Sequence, residues 1–273
     1  MNKRIWIWML PIVLMLVSFT YRVQKISDLP DNVGNSAFND GEKLVYKVYY
    51  TLGFIWIPAG EVDFSVTEQD DSYEMKAFGK TYPTYASIFK VNDYFYTKID
   101  KKTMLPSNFV RIVEEGNYRL YDSIRFQQDK KMASSYHGKT KHTTSVQQHQ
   151  WNGSMQDLIS NLYKLRSTDI SGFKNGDKLN LQILFDKEVY PISITVESRE
   201  KKQIKDLGKF NTVRINPEVV SGNVFKKGDK MQIWVSDDDN RIPLQLESSV
   251  SVGSVRMVLK SYKGLKYPLS SKV

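Results

Sequence analysis

Residues 41–66, GEKLVYKVYYTLGFIWIPAGEVDFSV, contain the pattern that decides the fold. Large side chains occupy every second position in two runs: Leu44, Tyr46, Val48 and Tyr50, then Val62, Phe64 and Val66. A period of two places such side chains on one face of a half-buried β-strand. The turn-like residues Pro58-Ala59-Gly60 separate the two runs. The segment therefore predicts two strands joined by a turn.

The same alternation continues along the rest of the chain, at 94–99, 108–113, 118–126, 179–185, 189–196, 213–215, 231–235, 244–247 and 250–259. Short polar segments such as Glu115-Gly116-Asn117 lie between these runs and have turn chemistry. Strands joined by short turns pair antiparallel, because parallel pairing needs long crossovers. The sequence predicts a mainly β protein with a single large curved antiparallel sheet, a half-barrel or barrel-like meander.

One segment between the strand runs has helical periodicity. Apolar residues follow Asn152-Gly153-Ser154 at helical spacing: Met155, Leu158, Ile159, Leu162, Tyr163 and Leu165. This stripe predicts one central amphipathic helix near residues 154–166, with Ser154 and Asp157 forming a start that resembles a capping box. The sheet has one face to bury, and the helix offers the matching apolar surface. A weaker helical or looped stretch is predicted over residues 82–91.

The N-terminus indicates export. Lys3 and Arg4 precede an uncharged, largely apolar run over residues 5–19, which is the layout of a secretory signal. The run is shorter than the roughly 20 residues of a membrane-spanning helix. We expect a signal peptide over 1–20, a tether over 21–39 and a β domain over 40–268, located in the periplasm or cell envelope. The poor cleavage site at Ser18-Phe19-Thr20 leaves an uncleaved inner-membrane anchor as the alternative.

Composition excludes several classes of protein. The chain has no cysteine, so it has neither disulfides nor a lipid-modified cysteine. Its net charge of +9 comes from scattered basic residues rather than from a basic stripe. Together with export, this scatter predicts a protein without a nucleic-acid partner, and we expect a monomer.

No residue pattern identifies a catalytic site, a cofactor or a metal. His137, His142 and His149 fall within thirteen positions, but residues 133–151 contain no cysteine and no acid. Because zinc needs three or four converging ligands, the segment favours a polar hairpin or mobile loop. Phosphate loops, nucleophile elbows and zinc-protease helices are absent from the sequence. We assign no catalytic residue and leave enzymatic activity open, with a non-catalytic role favoured.

Two groups of residues are candidates for ligand binding. The first is aromatic and consists of Trp56, Tyr82, Tyr85 and Phe89. Exposed at the mouth of the sheet, these side chains would suit a lipid tail or a sugar ring, whereas buried they are ordinary core. The second group lies in the stretch 234–243 and consists of Trp234, Asp237, Asp238 and Arg241. It is either a binding constellation or an Asp- and Asn-rich hairpin turn.

A set of short motifs resembles a known family. The motifs are Gly41-Glu42-Lys43-Leu44-Val45-Tyr46, Ala59-Gly60-Glu61, Asp157-Leu158-Ile159-Ser160 with Arg166, Trp234-x-Ser236-Asp237-Asp238 with Arg241-Ile242-Pro243, and Gly253-Ser254. Over roughly residues 40–265, this set resembles a family of uncharacterised exported bacterial proteins, a domain of unknown function found among Bacteroidetes and Proteobacteria. The resemblance implies an antiparallel β protein of the cell envelope and no established activity.

Three functions compete at this point. The first is a non-catalytic envelope protein that binds or carries a hydrophobic or amphipathic ligand, such as a lipid or lipid-linked glycan, in an apolar cleft. The second is a scaffold module that binds an envelope protein or a polysaccharide through an exposed aromatic patch. The third is a hydrolase with two carboxylates close together in a groove, for which the candidate acids are Glu61, Asp63, Glu218 and Asp237.

Overall fold

The computed structural model of the chain describes residues 26–28, 34–52, 55–87, 89–218, 231–249 and 253–273. Within them the chain is mainly β, with fifteen strands in one open sheet and two α-helices. The prediction of a mainly β protein built on a single large sheet is confirmed. The predicted signal peptide lies outside the described residues.

The first nine strands precede the central helix. They cover Ile26–Asp28 (β1), Lys43–Leu52 (β2), Ile55–Glu68 (β3), Ser72–Thr81 (β4), Asn92–Asp100 (β5), Pro106–Glu115 (β6), Tyr118–Gln127 (β7), Met132–Gly138 (β8) and Thr144–Gln150 (β9). From β2 onward each strand pairs antiparallel with the next, which gives a first meander of eight strands. A four-residue helix, α1 (Pro83–Ala86), follows β4, within the stretch predicted to be helical or looped.

A longer helix, α2 (Leu158–Ser167), leads into a second meander. The strands of this meander cover Lys178–Phe185 (β10), Glu188–Ile204 (β11), Gly208–Pro217 (β12), Met231–Ser236 (β13), Pro243–Ser249 (β14) and Ser254–Lys263 (β15). Strand β1 runs parallel to β10, whereas every other pair of described strands is antiparallel.

The two meanders join through the first strand of one and the last strand of the other. Strand β15 pairs with β2 from Lys263 opposite Lys43 to Ser254 opposite Thr51. The resulting order is β1, β10 to β15, then β2 to β9. Strands close to the two ends of the domain therefore meet in the middle of the sheet, and β1 and β9 form its edges.

Three clusters of buried side chains form the core. The first lies between the inner face of the first meander and α2, where Met75, Ile99 and Phe109 are fully buried with Tyr163 of the helix. The second cluster lies beneath β10 to β13 and includes Ile170 and Phe173, which follow α2. The third lies beneath β14, β15 and β2. Burial of the helix between sheet faces explains why its apolar stripe could be read from the sequence.

The helix begins four residues later than its periodicity suggested. Asp157 is the N-cap residue: its Oδ1 accepts hydrogen bonds from the backbone amides of Ile159 and Ser160. The Ser160 hydroxyl in turn accepts from the Asp157 amide, which completes a capping box. Ser154 is therefore not the cap, and the residues before Asp157 pair with the sheet instead, since Gln156 bridges to Ile183 of β10.

A buried ion pair fixes the far end of α2. Arg166 is 2% exposed, and its guanidinium donates to both carboxylate oxygens of Glu42 at 2.6 and 2.8 Å. The same side chain donates to the backbone carbonyls of Ala37 and Asn240. These bonds tie three separate segments to one helix end, because a buried guanidinium needs partners for its donors.

Residues 58–60 are not a turn. Gly60 lies within β3, and the register shifts between Val48 and Tyr49 of β2, so Ala59 is an extra residue on β3. This β-bulge leaves the Ala59 carbonyl available to the backbone amide of Tyr82, at 3.0 Å. The prediction of a turn at residues 58–60 is therefore wrong, because the irregular backbone there is a bulge within a long strand.

The histidine-bearing segment forms a hairpin rather than a loop. It folds into β8 and β9, which pair from Met132 opposite Gln150 to Gly138 opposite Thr144. Of the predicted tether, residues 26–28 form β1, and Ala37 and Phe38 are 0% exposed. Residues 34–39 thus pack on the domain, because Phe38 contacts Tyr73 and Tyr163 through its ring. In the described part of the chain, neither helix has the length and apolarity needed to cross a bilayer.

Candidate ligand groove

Trp56 and Trp234 each have a cationic side chain over the indole ring. Trp234 is 3% exposed, its indole Nε1 donates to Glu200 at 2.7 Å, and the Lys202 ammonium lies 3.7 Å from its ring centroid. Trp56 is 43% exposed, with the Arg256 guanidinium 3.5 Å from its ring centroid. Burial lowers the pKa of Lys202, on which Glu247 and Arg256 also act electrostatically. Trp234 is therefore packed, whereas Trp56, on a different part of the sheet, is open to solvent.

The aromatic residues around α1 are partly or largely exposed. Tyr82 caps this helix and donates to Glu61 at 2.7 Å, and burial together with that carboxylate raises its pKa. Tyr85 is half-buried, and Phe89 is 54% exposed with its ring against Gly116. These side chains lie at one end of the first meander, and none of them lines the groove at the β10 edge that is described below.

Asp237, Asp238 and Arg241 hold the turn between β13 and β14. Asp238 accepts from the Ser236 hydroxyl, from the amides of Asn240 and Arg241, and from the amide of Ser271. Asp237 pairs with Arg199. Arg241 has a positive φ of 45° and donates to the carbonyls of Arg166 and Asp239. Asp238 thus fixes the local backbone, as expected for a hairpin turn, while Asp237 and Arg241 tie the turn to Arg199 and to the end of α2.

The four acids considered from the sequence do not form a pair. Lys260 and Tyr82 hold the pKa of Glu61 below its usual range, and Asp63 pairs with Lys43 at 3.4 Å. Asp237 pairs with Arg199 as above, and Glu218 lies elsewhere, at the end of β12. A dispersed-carboxylate hydrolase gains no support from these positions.

A groove of about 690 Å³ lies at the β10 edge of the sheet. Strand β1 covers β10 as far as Asp28 opposite Asn180, and Gln156 bridges to Ile183 along the same edge. The edge between these contacts adjoins the groove, whose floor is the polar face of β10 and β11. Its lining consists of Asp28, Gly153, Ser154, Gln156, Lys164, Asn180, Leu181, Gln182, Pro191, Ile192, Ser193 and Glu218.

Polar side chains form a row across the groove. Asp28 pairs with Asn180, and Asn180 pairs with Ser193, whose hydroxyl donates to the Asn180 amide oxygen at 3.0 Å. The Ser193 carbonyl accepts from the Glu218 amide of the next strand at 2.8 Å. Since neighbouring strands lie about 4.8 Å apart, the backbones of Asp28 and Glu218 are about 14 Å apart. The two acids therefore flank the groove and do not form a catalytic pair.

Gln156 supplies the most unusual polar group of the groove. Its side chain is 1% exposed, and neither Nε2 nor Oε1 has a hydrogen-bond partner among the described residues. Its backbone amide and carbonyl are both bonded to β10. A buried amide without partners costs about 1–3 kcal/mol, so the side chain is not retained for stability. No sequence motif pointed to Gln156, because its position depends on the β10 edge.

The comparisons with known proteins agree with the fold. Residues 45–260 match the model of the family described as protein of unknown function DUF3108, a span that begins in β2 and ends in β15, and the chain belongs to this family. No curated protein matches the chain.

Two solved structures that match the chain share little of its sequence. A β-barrel-like protein of the domain of unknown function DUF1849 from Brucella abortus has a TM-score of 0.57 at 8% identity, covering 83% of this chain and 98% of that one. A protein with a YmcC-like fold from Bacteroides fragilis has a TM-score of 0.31 at 11% identity, covering 85% and 99%. At such identities the likeness concerns the fold alone.

Proposed function

We propose that this protein is an exported, non-catalytic protein of the cell envelope that binds the saccharide part of an envelope glycan in the groove at the β10 edge. The class of ligand follows from the chemistry of the lining. The envelope location rests on the N-terminal sequence, where Lys3 and Arg4 precede the apolar run over residues 5–19.

The partnerless amide of Gln156 carries the proposal. An amide offers one acceptor and two donors, which matches the paired donor and acceptor character of sugar hydroxyls. Asn180, Gln182 and Ser193 add further neutral hydrogen-bonding groups on the floor of the same groove. Both amide atoms are buried in the free protein, so a ligand rich in hydroxyls would reach the Gln156 amide by a small turn of this side chain towards the groove. Satisfying the amide would recover the free energy that its burial costs.

Charge separates a saccharide from a phosphate-bearing headgroup. Exposed Asp28 and Glu218 flank the groove and outnumber its one cationic lining residue, Lys164, so the lining as a whole disfavours an anion. Leu181, Pro191 and Ile192 provide a limited apolar surface, too small to shelter a lipid tail. A cavity of about 690 Å³ falls within the range of small-molecule sites, about 300–1,000 Å³. These features favour the glycan over the lipid part of an amphipathic ligand.

A second candidate function rests on the outer face of the first meander. Four large side chains stand opposite one another across adjacent strands, in the register Phe78, Tyr94, Ile112 and Tyr121. Ile112 is 37% exposed, and the other three are partly exposed. An aromatic row of this kind supports a scaffold that binds a polysaccharide or protein over a flat surface.

Binding of the purified protein to an array of bacterial envelope saccharides tests the proposal. We expect binding that is lost in Gln156→Leu, while the free energy of unfolding in urea stays equal or rises because the unbonded amide is removed. Gln148→Leu, on the exposed face of β9, is the matched control and retains binding.

Two other outcomes overturn the groove as the site. The first is binding that survives Gln156→Leu but is abolished by Ile112→Glu, which would assign it to the aromatic row. The second is the absence of binding to every saccharide on the array, which would exclude a glycan ligand.

A further inference from the structure

A polar cluster unrelated to the groove lies on the inner face of the first meander. Asp122 of β7 stands directly opposite His137 of β8 in the strand register. Asp186, in the turn between β10 and β11, approaches the same point from the second meander. The sequence did not favour a metal, because neither a cysteine nor an acid lies near the histidines along the chain. The fold supplies two acids from elsewhere, one on β7 and one in the turn between β10 and β11.

The distances within this cluster suit a shared cation. One ligand atom from each of Asp122, His137 and Asp186 lies within 4.8 Å of the other two. Asp122 Oδ1 and His137 Nδ1 are 3.8 Å apart, too far for a hydrogen bond. Two ligands about 2.0–2.2 Å from a tetrahedral zinc ion lie about 3.4 Å apart, so a small movement would bring both atoms into coordination.

Asp122 Oδ1 and His137 Nδ1, the two atoms that face each other, are both buried without hydrogen-bond partners in the described structure. Asp122 is 0% exposed, yet its Oδ1 has no hydrogen-bond partner among the described residues, and the same holds for His137 Nδ1. A buried carboxylate oxygen without a partner is costly. A cation between Oδ1 and Nδ1 would satisfy both atoms at once.

Arg111 supports such a site without filling it. Its NH2 group lies 3.2 Å from Asp122 Oδ2 and 2.8 Å from Asp186 Oδ1, which leaves one oxygen of each carboxylate for another ligand. The guanidinium also lies 4.3 Å from the Phe185 ring centroid, which fixes its place. Carboxylates that bind metals are commonly held by hydrogen bonds of this kind. Because one guanidinium balances the charge of only one of the two carboxylates, a further cation would be favourable in this cluster.

We propose that Asp122, His137 and Asp186 form a binding site for a divalent transition metal, with Zn²⁺ as the best-fitting ion. One imidazole and two carboxylates suit zinc, whereas Ca²⁺ and Mg²⁺ prefer oxygen ligands alone. Access comes from Asp186, whose side chain is 49% exposed in a turn with a positive φ of 51°. Arg111 is a positioning residue that orients both carboxylates.

Zinc titration of the metal-stripped protein, produced without a histidine tag, tests this site. We expect binding of one Zn²⁺ per chain by competition with a chromophoric chelator, and a zinc-dependent rise in Tm because the ion binds the folded state. His137→Ala and Asp186→Asn should each weaken binding at least about tenfold, whereas His142→Ala, in the exposed β8–β9 turn, should leave it unchanged.

A second measurement separates coordination from a loss of folding. In the ¹⁵N spectrum of the histidines, zinc should shift Nδ1 of His137 and leave the His142 ring unchanged. Arg111→Lys should weaken binding while retaining this signature, because it disturbs the orientation of the carboxylates only. Equal loss of binding in His142→Ala and His137→Ala, or no binding at all, would overturn the proposal.

Discussion

Some single residues in this protein are unfavourably buried, and local hydrogen bonds offset part of the cost. Asp157 is the clearest case, because it is 0% exposed while capping α2. Burial raises the pKa of this carboxyl to about 6, although hydrogen bonds from Thr97, Ser160 and Ile159 oppose the increase. A free aspartate titrates near 3.9. The capping bonds are therefore made by a group whose charged form is disfavoured by its surroundings.

This shift predicts a pH-dependent stability that Asp157→Asn should remove. The folded state holds its proton more tightly than the unfolded state, so the free energy of unfolding falls as pH rises from about 4 to about 6. Asparagine caps helices as well as aspartate and does not titrate. We expect the difference in unfolding free energy between variant and wild type to change by about 2 kcal/mol between pH 4 and pH 6.

Urea unfolding at a series of pH values measures the difference. Asp129→Asn, on the exposed turn after β7, should follow the wild-type profile. Parallel profiles for wild type and Asp157→Asn would show that Asp157 is not the responsible group.

At the scale of elements, the bulge in β3 explains a glycine that sequence periodicity could not. A Cβ atom added to Gly60 would lie 2.2 Å from the backbone carbonyl oxygen of Lys80. Backbone cannot yield as a flexible side chain can, so β3 and β4 approach closely only because residue 60 has no side chain.

Gly60→Ala should therefore destabilise the protein by about 2 kcal/mol or more, since the added methyl group forces the two strands apart. Gly79→Ala is the matched control, because there a Cβ would meet only Val62 Cγ2 at 3.4 Å. Thermal unfolding followed by circular dichroism compares the two. Equal Tm values for both variants would contradict the close approach seen at Gly60.

The elements were predictable to the extent that they alternate. Strands such as β2, β7 and β10 bury one face and were found from their period of two. The alternation does not reveal β4. The residues Pro58-Ala59-Gly60 predict a turn that is absent, because proline and glycine indicate irregular backbone without showing whether the chain reverses direction. The cap of α2 was placed too early, since Asp157 and Ser160 form the same kind of pair as Ser154 and Asp157.

The candidate sites were less predictable than the elements. The hydrogen-bonding capacity of Gln156 matters only because its side chain is buried beside the β10 edge. Asp122 and His137 meet through strand register, and Asp186 arrives from a turn about fifty residues away. Of the proposed binding residues, Asp237, Asp238 and Arg241 hold a turn, which was the structural alternative weighed for them. Sites assembled across strands leave no spacing pattern to find.

At the scale of the whole molecule, the last residues close the third core cluster. The Asn240 side chain donates to the carbonyls of Tyr267 and Pro268, and the Ser271 carbonyl accepts from Asn211. Phe210, next to this contact, is 0% exposed. The C-terminal segment thus covers core residues of the second meander.

Deletion of residues 267–273 should lower the free energy of unfolding by at least about 2 kcal/mol, because it removes Leu269 from the third core cluster and uncovers Phe210. Asn240→Ala, which removes the side-chain bonds to this segment without shortening the chain, should release the tail to carboxypeptidase digestion. Urea unfolding and timed digestion provide the two measurements. An unchanged unfolding midpoint in the shortened protein would contradict a covering role for the tail.

The pairing of β15 with β2 also sets the order in which the molecule can be completed. A nascent chain makes β2 early, but β15, which covers its outer edge, is made after the other described strands. Until then β2 is an exposed edge strand of the eight-stranded meander, and its unpaired backbone groups promote aggregation. A message truncated before residue 254 would therefore yield fragments that stick to one another rather than a smaller stable protein. Correct folding of the first meander therefore requires that synthesis has continued through β15.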